Sequence, residues 1–61
     1  MPKSEKKELR KIKDKVIHSA NDLKKFLNTN SDAPDEVREK LDEARDDLIN
    51  AVNKIVEATT L

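Results

Sequence analysis

Large apolar residues recur along this chain at alternating three- and four-residue steps, and that spacing constrains its fold more than any other feature. Leu9, Ile12, Val16, Leu23 and Phe26 keep the pattern through the first half, with Ser19 in the one vacant place. Residues so spaced share one face of an α-helix, whereas a half-buried strand would need strict alternation. In the second half Leu41, Leu48 and Ile55 form one heptad line, and Val37, Ala44, Ala51 and Ala58 form the line beside it. The chain has no glycine, and neither of its two prolines falls inside these stretches, so nothing in them interrupts helix formation. A charged fraction of 43% with a single aromatic residue would suit a disordered chain. Periodic rather than scattered apolar residues argue for order instead.

The sequence predicts one helix over about 4–28, with Ser4 as its N-cap, a turn over 29–33, and a second helix over about 34–58, all within a single helical domain, 1–61. Asn28, Thr29, Asn30 and Ser31 form a polar break, where asparagine can take the left-handed cap conformation usually given to glycine. Asp32, Ala33, Pro34, Asp35 and Glu36 then read as a helix start: an acidic cap, proline in the first turn, and carboxylates at the positive end of the helix dipole. A rival architecture breaks the first helix near Ser19, Ala20, Asn21 and Asp22 and gives a small three-helix bundle. No proline or glycine enforces that break.

The expected fold class is therefore all-α, an antiparallel helical hairpin that forms a four-helix bundle as a homodimer. A chain of 61 residues without cysteine has neither disulfides nor thiolate metal sites to support a small core, which leaves association as the usual remedy. Ile17, Ala20, Leu27, Ile49, Val52 and Val56 lie outside the two seams and widen each stripe on one flank. A lone hairpin needs one seam per helix, while a bundle of four needs wider faces. The expected interface comprises Leu9, Ile12, Val16, Ile17, Leu23, Phe26, Leu41, Leu48, Ile49, Val52, Ile55 and Val56. Its partner is a second copy or another helical protein. Alanines facing larger residues would let antiparallel helices approach closely.

Charge is divided unevenly, although it sums to zero. Residues 1–28 carry nine Lys or Arg against four Asp or Glu, and residues 29–61 carry four against nine. Opposite charge on the two helices favours their pairing. Lys3, Lys6, Lys7, Arg10, Lys11, Lys13 and Lys15 also crowd the start of the first helix, where the dipole favours acids. Such a face could meet phosphates, which makes nucleic acid a second candidate partner, though Glu5, Glu8 and Asp14 interrupt it and no aromatic residue offers base stacking.

No catalytic, cofactor-binding or metal-binding constellation stands out, so the expectation is a protein without enzymatic activity, cofactor or small-molecule substrate. Asp35, Glu39, Asp42, Glu43, Asp46 and Asp47 recur at helical spacing as a solvated face; carboxylate-bridged di-metal bundles need Glu-x-x-His pairs, and the second helix has no histidine. His18 is off the main seam, and Ser19 has no recognisable base and orienting partner. No apolar run approaches the roughly 18 residues of a membrane span, and the Lys-rich start lacks the apolar segment of a signal peptide. A soluble, cytoplasmic protein is expected.

The opening Met1-Pro2-Lys3-Ser4-Glu5-Lys6-Lys7-Glu8-Leu9, the length, and Leu41 with Leu48 after an acidic turn resemble the Rop family of plasmid RNA-binding proteins. That resemblance implies a hairpin dimerising into a four-helix bundle, with Lys3, Arg10, His18 and Lys25 facing RNA. Across residues 20–52, Leu23, Phe26-Leu27, Asp32-Ala33-Pro34, Val37-Arg38 and Leu41-Asp42-Glu43-Ala44-Arg45 are similar to the soluble helices of ElaB/YqjD-type bacterial proteins. Those proteins are membrane-anchored and ribosome-associated; no such anchor is expected from the residues of this sequence. The missing Gly, Cys, Trp and Tyr also fit an engineered bundle without natural function, although the irregular stretch from Val16 to Asp22 is less idealised than such sequences usually are.

Overall fold

A computed structural model describes residues 3–61 and shows two helices, with no strand among those residues. Helix α1 spans Lys3–Thr29 and α2 spans Asp35–Thr59. Met1 and Pro2, part of the opening that resembles the Rop family, lie outside the described residues. The helices pack antiparallel as a hairpin, since Lys6 near the start of α1 borders the same cleft as Thr59 at the end of α2. The chain stays helical through Ser19, Ala20, Asn21 and Asp22, so the three-helix alternative is set aside. Ser and Asn can cap a helix there only if the backbone turns, and continuing the apolar stripe outweighs that local preference.

The turn is built differently from its sequence reading. None of the described residues has positive φ, so asparagine does not close α1 in the left-handed conformation. Instead the Asn30 side-chain amide donates to the Phe26 carbonyl at 2.9 Å, beside the Asn30 backbone N–H at 2.8 Å. A further bond from Ala33 N–H to the Asn30 carbonyl, 3.0 Å, tightens the loop. At the start of α2, Pro34 is the N-cap residue rather than part of the first turn, with φ −55° and ψ 144° and no side-chain cap bond. Asp32 therefore does not serve as the acidic cap. Proline disfavours helical geometry in the residue before it, and with its own ψ extended the helix begins at Asp35. Ser4 falls inside α1 rather than at its N-cap.

Between the helices the most buried side chains are Ala20, 5% exposed, and Leu27, 9% exposed. The sequence pattern placed both outside the seam. They stand seven residues apart on one line of α1, and the small side chain at Ala20 lets α2 come close. Leu9, Val16, Leu23, Leu41, Leu48, Val52 and Ile55 flank this contact and are half-buried.

The result is an elongated rod with Cα extents of 47 × 15 × 9 Å and a radius of gyration of 14.3 Å. A compact chain of this length would have a radius of about 10.5 Å. Its accessible surface is 4994 Å² for a mass of 7.0 kDa, whereas a compact monomer of that mass exposes about 4000 Å². The surplus arises because two helices side by side cover only one strip of each other.

Candidate helix-docking surface

The uncovered strips lie on the two broad faces of the hairpin, and they differ. On one face Ser19, Leu23 and Phe26 from α1 and Leu41 and Leu48 from α2 line an open, mainly apolar groove, with Asp22 at its rim. Helical spacing extends this strip through Ile12 along α1 and through Val37, Ala44, Ala51 and Ile55 along α2. Ile12 is 49% exposed, Phe26 46% and Val37 44%. For a hairpin that stands alone, half of each of these side chains would remain in water, where burial of a large apolar side chain is worth about 1.5–3 kcal/mol.

On the opposite face Ile17, Ala20, Asn21, Arg45, Ile49 and Val52 border a smaller hollow. Ile17, Ile49 and Val56 are exposed there, but the polar Asn21 and Arg45 interrupt the strip. Arg45 is half-buried, and its Nε makes no hydrogen bond. A buried, unpaired N–H of that kind is a cost to the fold.

Of the twelve expected interface residues, the structure divides the set rather than gathering it. Leu23, Phe26, Leu41 and Leu48 share the first groove, and Ile17, Ile49 and Val52 the second hollow. Two consequences of the pairing were not legible from periodicity: Ala20 and Leu27 make the close contact, and Arg45 sits beside it. Leu27 carried a signal, since it repeats Ala20 at seven residues, but Ala20 is too small to stand out in a hydrophobic pattern.

Lys3, Arg10, His18 and Lys25 are all exposed, and their spacing sets them along the outward side of α1. Arg10 also joins Lys6 and Lys13 around a cleft closed by Val56 and Thr59 of α2. The C-terminus of α2 has no basic residue in its own last turn. Cations from the start of α1 thus lie alongside the negative end of the α2 dipole and offset it. Considered within its own helix, the basic start of α1 runs against the dipole; considered across the hairpin, it is complementary. The last carbonyls of α2 are further engaged by Thr59 Oγ1 on Val56 and Thr60 Oγ1 on Glu57, both 2.7 Å.

Among the described residues no group of His, Asp and Glu side chains is placed to hold a metal ion, and no helix is long and apolar enough to cross a membrane. No protein family matches the chain, and no curated protein or solved structure is significantly similar to it. The resemblances to the Rop and ElaB/YqjD families rest on the quoted residues alone.

Proposed function

We propose that this protein is a non-enzymatic helical interaction module that self-associates through the groove between Phe26 and Leu48, two hairpins forming a four-helix bundle. The observation that carries the reading is the size and character of the uncovered surface. The excess over a compact monomer is roughly 1000 Å², comparable with the roughly 800 Å² each partner contributes to a standard stable interface. Part of it is a strip whose exposed members include Ile12, Phe26 and Val37, uninterrupted by polar side chains such as the Asn21 and Arg45 of the opposite face. A second copy supplies the same strip in return, which is the defining property of a two-fold interface. The test is sedimentation equilibrium at micromolar concentration with melting curves over a range of concentrations. Twice the chain mass and a melting temperature that rises with concentration support the proposal; a single chain mass with concentration-independent melting refutes it.

A second reading, in which the outward side of α1 binds RNA, is favoured by the exposed line of Lys3, Arg10, His18 and Lys25. Its test is a salt titration with paired RNA loops. Affinity that falls steeply with salt and with alanine at Lys3, Arg10 and Lys25 supports it, and no binding at low salt refutes it.

A further inference from the structure

Resting on the self-association reading, we infer that the second copy docks in one particular orientation: its α1 lies antiparallel on α2, and both turns sit at the same end of the bundle. Two hairpins stacked groove to groove have two symmetric choices. If the two-fold axis runs parallel to the helices, each α1 covers the partner's α2. If it runs across them, α1 covers α1, α2 covers α2, and the turns point in opposite directions.

The charges bordering the groove discriminate between these. One turn before Ile12, Ser19 and Phe26 on α1 stand Glu8, Lys15 and Asp22; one turn before Ala44, Ala51 and Ala58 on α2 stand Lys40, Asp47 and Lys54. At 3.6 residues per turn each trio flanks its apolar line on the side away from the hairpin's own contact. All six are exposed. The one ion pair among the described residues joins Lys40 to Glu43 within α2, so none of the six is satisfied across the hairpin.

Heights along the rod follow from the turn, which joins Thr29 to Asp35, so that residues equally far from it on the two helices lie level; the clefts agree, Leu23 lining one with Leu41 and Leu48, Ala20 one with Arg45 and Ile49, and Lys6 one with Val56 and Thr59. A two-fold parallel to the helices leaves every residue at its own height. Glu8 then comes beside Lys54 of the second copy, Lys15 beside Asp47 and Asp22 beside Lys40, each within about one helical turn. Every one of these pairs is of opposite sign, and symmetry doubles them.

A crosswise axis near the middle of the rod, at the level of Lys15 and Asp47, reverses the outcome. Lys15 then faces its own copy, Glu8 faces Asp22, Asp47 faces its own copy, and Lys40 faces Lys54. Every pair becomes like-signed. The apolar lines agree with the charges. With the axis parallel to the helices, Phe26 comes opposite Val37, Ser19 opposite Ala44 and Ile12 opposite Ala51. The crosswise axis puts Phe26 opposite Glu5. Charges beside an apolar seam set partner orientation in this way by penalising the wrong pairing as well as favouring the right one.

The experiment is a distance measurement between spin labels on the full chain. The protein has no cysteine of its own, so Ser31→Cys places one label per copy in the exposed turn, and Thr60→Cys repeats the measurement at the other end. The inferred arrangement gives a distance under about 30 Å in both variants, because neighbouring helices in a bundle lie about 8–10 Å apart. A distance near the 47 Å length of the rod in both variants overturns the orientation while leaving self-association intact. No coupling between labels, together with the mass of a single chain, overturns both.

Discussion

The Arg38 guanidinium donates a 3.1 Å hydrogen bond to the backbone carbonyl of Ser31, so a side chain from the first turn of α2 secures the loop that leads into it. With no side-chain cap at Pro34, this bond and the Asn30 amide on Phe26 are the side-chain ties that fix the turn. Arg38→Ala is expected to destabilise the fold by about 0.5–1.5 kcal/mol. At this chain length that corresponds to a fall in melting temperature of roughly 4–8 °C per kcal/mol. Ser31→Ala, which leaves the carbonyl in place, is expected to change the melting temperature little.

Asn30 offers a sharper test of how α1 ends. Were it a left-handed cap, glycine would serve as well or better. Because Asn30 does not take a positive φ and its side chain itself engages Phe26, both Asn30→Gly and Asn30→Ala should lose stability, each by about 0.5–1 kcal/mol, with glycine the worse through its added backbone entropy. Thermal melts of the two variants in parallel decide it; a glycine variant as stable as the parent counts against the side-chain role.

The two helices and the polar break between them were legible because the signals are local and redundant: heptad spacing, no internal glycine, and an Asn-rich segment followed by proline and acids. What stayed hidden was which line of each helix meets the other. α1 carries apolar residues over a wide arc, from Ile17 round to Ile12, and any line within it could have been the contact. Packing chose the one containing Ala20, because close approach of two backbones needs a small side chain, and hydrophobicity does not report size. The basic start of α1 was opaque for a related reason: its partner is the end of α2, fifty residues along the chain but adjacent in space.

Arg45 marks a place where the fold is not optimal. Its Nε is buried without a partner beside Ala20, Ile49 and Val52. Arg45→Met keeps the aliphatic stem that packs there and removes the unpaired donor. The expected outcome is a gain of about 1 kcal/mol, read as a higher denaturant midpoint with an unchanged slope. A loss of stability would mean that the guanidinium is satisfied in solution.

The two broad faces make opposite predictions under charge insertion. Ile12 and Ile17 are covered to similar degrees in the hairpin, being 49% and 39% exposed, so an aspartate at either position costs the isolated hairpin a similar amount. On the proposed interface they differ: Ile12→Asp buries a carboxylate against Ala51 of the second copy, and Ile17→Asp leaves it in water. Sedimentation should therefore find Ile12→Asp at the mass of one chain and Ile17→Asp at twice that mass. The reverse pattern would move the interface to the face containing Ile49 and Val56.

Charge reversal tests the bordering residues directly. A chain carrying Glu8→Lys, Lys15→Glu and Asp22→Lys keeps its apolar strip intact, but each α1 now presents to the covering α2 the same signs that α2 carries at Lys54, Asp47 and Lys40. Exposed pairs of this kind contribute about 0.2–1 kcal/mol each, and six change sign together, so the dimer should weaken by about tenfold or more at low salt. The loss should shrink as salt is raised, because the Debye length falls from about 10 Å at 0.1 M to about 3 Å at 1 M. Had α1 packed on α1, reversing all three charges would leave every pair like-signed as before, and affinity would not change. Adding Lys40→Glu, Asp47→Lys and Lys54→Glu to the same chain restores opposite signs at each pair and should return the dimer to its original strength.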